Sequence, residues 1–328
     1  MLAWIVMGGH LAWFVPDATG WTQPCEDLGG KAAVVGFLLV SGYAIAASLS
    51  RGEPGFYKRR FLRIYPLYFF AILLSVGLQL VSHGHLEVPG YTFEGKGWLT
   101  PVGNFLLLQT FVVKPISFDG PVWSLSVEFS YYLLGPFLWR MHRRWLVLII
   151  FVSAACHLLP PREDLGLVYL AFSKFNALKY LWCWVLGLLL WRERAERGKA
   201  IEIDLLALAC APLLLAHTTS SRLCIVTYLV SVGTILGARH VQVRGRAGRV
   251  LDYLGDLSYP FYLFHVPAFI CAYSFVGLRA PIALVGFVLL VSVVAYHAID
   301  RQLKNRVLKP LLLPAQPVRA SVPAAVRP

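Results

Sequence analysis

Residues 56–66 read FYKRRFLRIYP and set four cations, Lys58, Arg59, Arg60 and Arg63, between apolar segments at 32–50 and 64–82. A cluster of this kind beside apolar segments stays on the cytoplasmic face of a bilayer. It fixes the orientation of everything around it and places forked guanidinium donors, suited to phosphate, at the mouth of a membrane domain. The wider composition agrees. The 328 residues are 58% apolar and 14% charged, whereas soluble domains are about 25% charged. The chain reads as an all-α polytopic membrane protein.

The net charge of +13 sits in short loops between apolar runs, which argues against nucleic acid as a partner. Of six cysteines, only Cys25 falls in a loop expected outside, so no disulfide framework is implied. No Cys/His spacing resembles a metal site, and no metal is expected. The first apolar run is not followed by a small-residue cleavage site and reads as a retained helix.

A bilayer-crossing helix needs about 20 apolar residues, and that ruler gives about ten candidates: 1–16, 32–50, 64–82, 122–139, 145–160, 167–191, 201–217, 223–239, 257–277 and 281–299. The gaps at 17–31, 83–121, 161–166, 218–222 and 278–280 carry few cations. The alternate gaps carry Arg51–Arg63, Arg140/Arg143/Arg144, Arg192/Arg194/Arg197/Lys199 and Arg239/Arg244/Arg246/Arg249. This alternation places both termini in the cytoplasm. The gap 83–121 contains Phe105–Val113, too short to span, and is expected to form a re-entrant or interfacial segment over a cavity. The division is thus a membrane domain, 1–310, and a Pro/Ala-rich tail, 311–328, expected to be disordered.

Ionisable residues within spanning segments are costly and point to function. At 1.5 Å per residue, His10 and Glu128 both lie roughly 8–9 Å below the outer boundary. A histidine with a carboxylate partner is a workable general base. The alternatives are a packed histidine and a structural ion pair. His265 and His297 also fall within segments, while His83, His85, His142 and His240 fall in loops and are expected to be solvated. In segment 32–50, Ser41 and Gly42 suit either a packing seam or a substrate contact. Arg60 and Arg63, three apart, can share a helical face toward a phosphate-bearing donor.

His10, FLLVSGY at 37–43, RRFLRIYP at 59–66, WSLSVEFSYYLL at 123–134 and LGDLSYPFYLFHVP at 254–267 together resemble membrane-bound acyltransferase family 3. These are the bacterial envelope O-acyltransferases that modify O-antigen, exopolysaccharide, peptidoglycan, Nod factors and macrolides. The resemblance implies a multi-pass protein of the bacterial inner membrane with a ten-helix domain. It would move an acyl group, commonly acetyl, from acyl-coenzyme A at the cytoplasmic face to a hydroxyl, usually of a sugar, free or lipid-linked. It assigns the essential histidine to His10, the conserved acid to Glu128 and the coenzyme A contacts to Arg60 and Arg63. Ser41, Tyr43, Trp123, Ser124 and Tyr132 are expected to line the cavity.

The family pattern also has an Arg or Lys ahead of the histidine, at a position that here lies just upstream of Met1. The first segment is short as well, so the natural chain is expected to start upstream. Two other classes account for a polar cavity in a membrane: a transporter or flippase for a lipid-linked sugar, and a non-catalytic scaffold of a polysaccharide synthesis complex. Coenzyme A use separates the enzyme from both. Acceptor, acyl length and oligomeric state are not readable from the sequence.

Overall fold

The computed structural model describes residues 1–159, 175–215, 222–241 and 243–312. The expected tail beyond 312, the gaps at 161–166 and 218–221 and the first part of segment 167–191 lie outside these residues. The described chain is mostly helical: α1 (Leu2–Leu11), α2 (Thr19–Leu28), α3 (Gly30–Ser50), α4 (Phe56–Val81), a hairpin of β1 (His85–Val88) and β2 (Tyr91–Glu94), α5 (Leu99–Phe105), α6 (Trp123–Arg140), α7 (Arg143–Leu158), α8 (Leu181–Arg192), α9 (Arg197–Ala209), α10 (Cys224–Gly237), α11 (Gly245–Ile270) and α12 (Pro281–Ala295). Wider π-type turns extend α12 through Tyr296–Leu308.

Among the described residues, three helices are long and apolar enough to cross a membrane: Gly30–Ser50, Phe56–Val81 and the continuous run Pro281–Leu312. α1 and α10 are apolar but shorter. Large apolar side chains such as Leu80, Phe137, Phe151, Ile282 and Leu290 stand exposed around the bundle, as a lipid-facing surface requires. Buried hydroxyls in these apolar helices fold back on their own backbone: Ser75, Ser231 and Ser292 donate to the carbonyls of Ala71, Thr227 and Val288. That removes the penalty of an unpaired polar group where water is absent.

Residues 83–121 are more structured than the sequence suggests. β1 and β2 pair antiparallel, Val88 opposite Tyr91. The hairpin lies over the C-terminal end of α1, where the Gly90 amide donates to the Trp13 carbonyl at 2.7 Å and Tyr91 stacks on Trp13 with centroids 4.2 Å apart. The stretch Phe105–Val113, expected as a re-entrant segment, is an irregular loop past the end of α5, with positive φ at Leu107 and Thr110. Buried Asn104 holds it, donating to the carbonyls of Thr100 and Lys114 and accepting from the Ile116 amide. Gln109 ties the loop to α6 by donating to the Val122 carbonyl, and the Ser126 hydroxyl returns a bond to the Gln109 carbonyl.

At the centre, α3 and α8 touch backbone to backbone. A Cβ placed on Gly42 would stand 1.9 Å from the Trp184 carbonyl oxygen, and one on Gly187 would stand 2.0 Å from the Leu39 carbonyl oxygen. Each glycine makes room for the partner helix, the small-residue packing that membrane helices use in place of a hydrophobic driving force. The obstacle is backbone on both sides, so no rotamer change relieves it. Gly42→Ala or Gly187→Ala is therefore expected to destabilise the detergent-solubilised protein by about 1–3 kcal/mol, the usual scale of overpacking. Thermal unfolding would check this against Gly233→Ala, a glycine with open space around it.

Candidate active site

His10 occupies the last turn of α1 and His265 lies, fully buried, in α11. Their rings meet: His265 Nε2 is 3.0 Å from His10 Nδ1. His265 Nδ1 is in turn 2.6 Å from the Tyr262 carbonyl oxygen. A carbonyl only accepts, so His265 Nδ1 carries the proton and its Nε2 is the acceptor. His10 Nδ1 must then donate, which leaves neutral His10 with its lone pair on Nε2. Trp13 packs edge-on against the His10 ring, centroids 4.4 Å apart, beneath Tyr91 of the hairpin.

A cavity of about 240 Å³ is walled by α3, α4, α6 and α11. Arg60 and Arg63 line it together with Ser41, Ser124, Glu128 and Tyr132. Glu128 accepts a hydrogen bond from the Tyr132 hydroxyl at 2.7 Å, one helical turn away, and Ser41 lies 3.5 Å from the same hydroxyl. Arg60 donates to Ser48 at 2.8 Å, while its Nε is buried without a partner. More exposed Arg63 pairs with Asp256 at 3.7 Å. Two tyrosines of α11 complete the wall. Tyr259 donates to the Ile64 carbonyl, and the Tyr262 hydroxyl is within 2.7 Å of Ser124 Oγ and 2.9 Å of the Pro121 carbonyl.

The fold thus brings Arg60, Arg63, Ser41, Ser124, Glu128 and Tyr132 to one cavity. It does not pair His10 with Glu128: the ring partner of His10 is His265, and the hydrogen-bond partner of Glu128 is Tyr132. Depth along a helix says nothing of lateral position. α11 meets both helices, touching α1 through Trp4 and Phe261 at 4.9 Å and α6 through Tyr262 and Ser124. Tyr43 faces away from this cavity, edge-on to Trp191. Trp123 packs on Tyr180 and is not among the lining residues.

Sequence reasoning gave His265 no more weight than any other intramembrane histidine, although its motif was visible. It missed Tyr259, Tyr262 and Asp119. Asp119 lies in the 3₁₀ turn Ser117–Val122 leading into α6. It is fully buried, and neither carboxylate oxygen has a hydrogen-bond partner among the described residues.

A family model described as an acyltransferase domain matches residues 1–299. The chain is similar to acyltransferase MdmB of Streptomyces mycarofaciens, 29% identical over 276 residues that cover 72% of this chain and 67% of that protein. It is also similar to nodulation protein 10 of Rhizobium leguminosarum bv. viciae, 26% identical over 260 residues covering 70% of this chain and 69% of that protein. No solved structure matches.

Burial without a partner pushes the Asp119 carboxyl well above the usual carboxylate range. An acid that ionises less readily folded than unfolded weakens the fold as pH rises above its unfolded value, near 3.9. Asp119→Asn keeps the shape and removes the titration. Its thermal stability relative to wild type should therefore increase between about pH 5 and about pH 8. A relative stability that stays flat over that range would mean that Asp119 ionises at least as readily folded as unfolded.

Proposed function

The chain belongs to acyltransferase family 3 and is an acyltransferase enzyme of the membrane, and from that premise we propose that it is an O-acyltransferase using acyl-coenzyme A. The acyl group, acetyl in the simplest case, passes to a hydroxyl of a carbohydrate or related envelope acceptor. Residues 1–310 act as one inner-membrane domain of about ten crossings, with both termini and the Arg60/Arg63 mouth in the cytoplasm, as the alternation of basic loops implies. The family match sets aside the transporter and scaffold readings.

The single observation that carries the mechanism is the hydrogen-bonded chain from the Tyr262 carbonyl through His265 to His10. It holds the His10 ring in one tautomer with Nε2 basic, the role a carboxylate plays in other histidine bases. Arg60 and Arg63 hold donor phosphates. The cavity behind them, about 240 Å³ and lined by Tyr259 and Tyr262, receives the thioester arm in this scheme. His10 Nε2 takes the proton of the acceptor hydroxyl, and the oxygen forms its bond to the thioester carbonyl carbon. The carbon–sulfur bond then breaks, and the thiolate recovers the proton from His10. Positioning both reactants supplies much of the acceleration. Glu128, bonded to Tyr132, shapes the donor cavity in this scheme. The Trp13–Tyr91 stack beside His10 suits the apolar face of a sugar.

The test follows label from acetyl-coenzyme A into lipid-linked, polysaccharide and small-molecule fractions of membranes. His10→Ala should abolish transfer at unchanged protein level, and near-normal turnover would reject the proposal. His265→Ala should lower kcat by roughly 10²-fold, within the range of general-base effects, with the donor KM unchanged. A purely structural role for His265 would instead lower the amount of folded enzyme. Arg60→Ala should act in the opposite sense, raising the donor KM about tenfold or more with little change in kcat, as loss of a charge-assisted phosphate contact predicts.

A further inference from the structure

A second cavity, of about 710 Å³, opens at the same basic end of the bundle and shares no lining residue with the first. α3 divides them: Ser41 and Ala44 face the donor cavity, whereas Tyr43 faces the second. Arg197, Ala200, Ile201 and Asp204 contribute one face of α9, at the three- and four-residue spacing of a helical stripe. Arg239 and His240 come from the chain just past α10, and Trp191 and Arg194 from the end of α8 and the turn after it.

The electrostatics of this cavity are unbalanced. Its one acid, Asp204, is matched by Arg239 at 3.1 Å. Arg194 is propped on the Trp191 ring, its guanidinium carbon 3.4 Å from the centroid, donates to the Trp191 carbonyl, and has no acid partner among the described residues. Arg197 has neither ion pair nor hydrogen bond among the described residues. Two donors, Trp191 Nε1 and Arg239 Nε, are buried and unpartnered, as is Asp204 Oδ1. Unsatisfied donors beside uncompensated guanidinium groups favour an acceptor-rich anion such as phosphate. We propose that this cavity is a phosphate-binding site, independent of the donor mouth at Arg60 and Arg63. Its occupant carries a phosphate with a hydroxyl beside it, the hydroxyl donating to Asp204. The headgroup of an anionic phospholipid and a soluble phosphate ester both have that chemistry.

The test uses the full chain in nanodiscs, in an Arg60→Gln/Arg63→Gln background that silences the other cationic cavity. In one arm, phosphatidylcholine discs are titrated with adenosine monophosphate at low salt. In the other, discs contain phosphatidylglycerol, and retained lipid is counted by mass spectrometry after detergent exchange. Thermal shift is read in both. One of the two probes should stabilise the background protein, and adding Arg194→Gln/Arg197→Gln should weaken its binding at least about tenfold, as loss of charge-assisted phosphate contacts predicts. Arg197→Gln alone, at an exposed side chain without partners, keeps the fold and should weaken binding in the same direction. The responding arm names the source of the phosphate. Stabilisation by neither probe, or binding that ignores both substitutions, overturns the proposal.

Discussion

The backbone contact between α3 and α8 at Gly42 and Gly187 is the constraint from which the rest of the basic end follows. In a bilayer, apolar surface alone gives helices no reason to associate, and close packing must supply the attraction. Once α3 is held at van der Waals distance from α8, the rotation of its neighbouring side chains is fixed. Ser41 turns toward α4 and α6, and Tyr43 turns toward Trp191. The two cavities are consequences of one seam, seen from its two sides.

A second constraint acts where α1 meets α11. Neutral imidazole has one donor and one acceptor, and a backbone carbonyl admits only a donor. The Tyr262 carbonyl therefore sets the proton on His265, which sets it on His10. No carboxylate is needed to establish this order. Glu128 is then available to bond Tyr132 within the cavity that Arg60 and Arg63 line. α11 connects the two regions, since the Tyr262 carbonyl accepts from His265 and the Tyr262 hydroxyl, donating to the Pro121 carbonyl, lies beside Ser124 Oγ.

Much of this was legible in the sequence, and for identifiable reasons. The Arg60/Arg63 spacing survives because both residues sit on one helix, where position fixes direction. Ser41, Ser124 and Tyr132 were reachable because polar groups in apolar segments have few places to go. The pairing of His10 was not legible, because it depends on the lateral arrangement of helices, and helix depth is silent on that. Tyr43 was misplaced for a related reason: two residues along a helix turn a side chain by more than half a revolution, and only the position of α8 says what it meets. The loop after α5 read as a short apolar segment because composition does not reveal that Asn104 would gather its carbonyls. Asp119 was passed over as a loop acid, since burial of a single carboxyl leaves no trace in local sequence.

The fixed tautomer of His10 also bears on energetics at the scale of the membrane. With Nδ1 committed to His265, only one nitrogen can exchange protons with reactants. On the proposed reading, the proton removed from the acceptor is the one returned to the leaving sulfur. Such a cycle moves no net charge between the two aqueous compartments. Its driving force then comes from the thioester alone, and turnover is insulated from the proton-motive force across the membrane in which the enzyme sits.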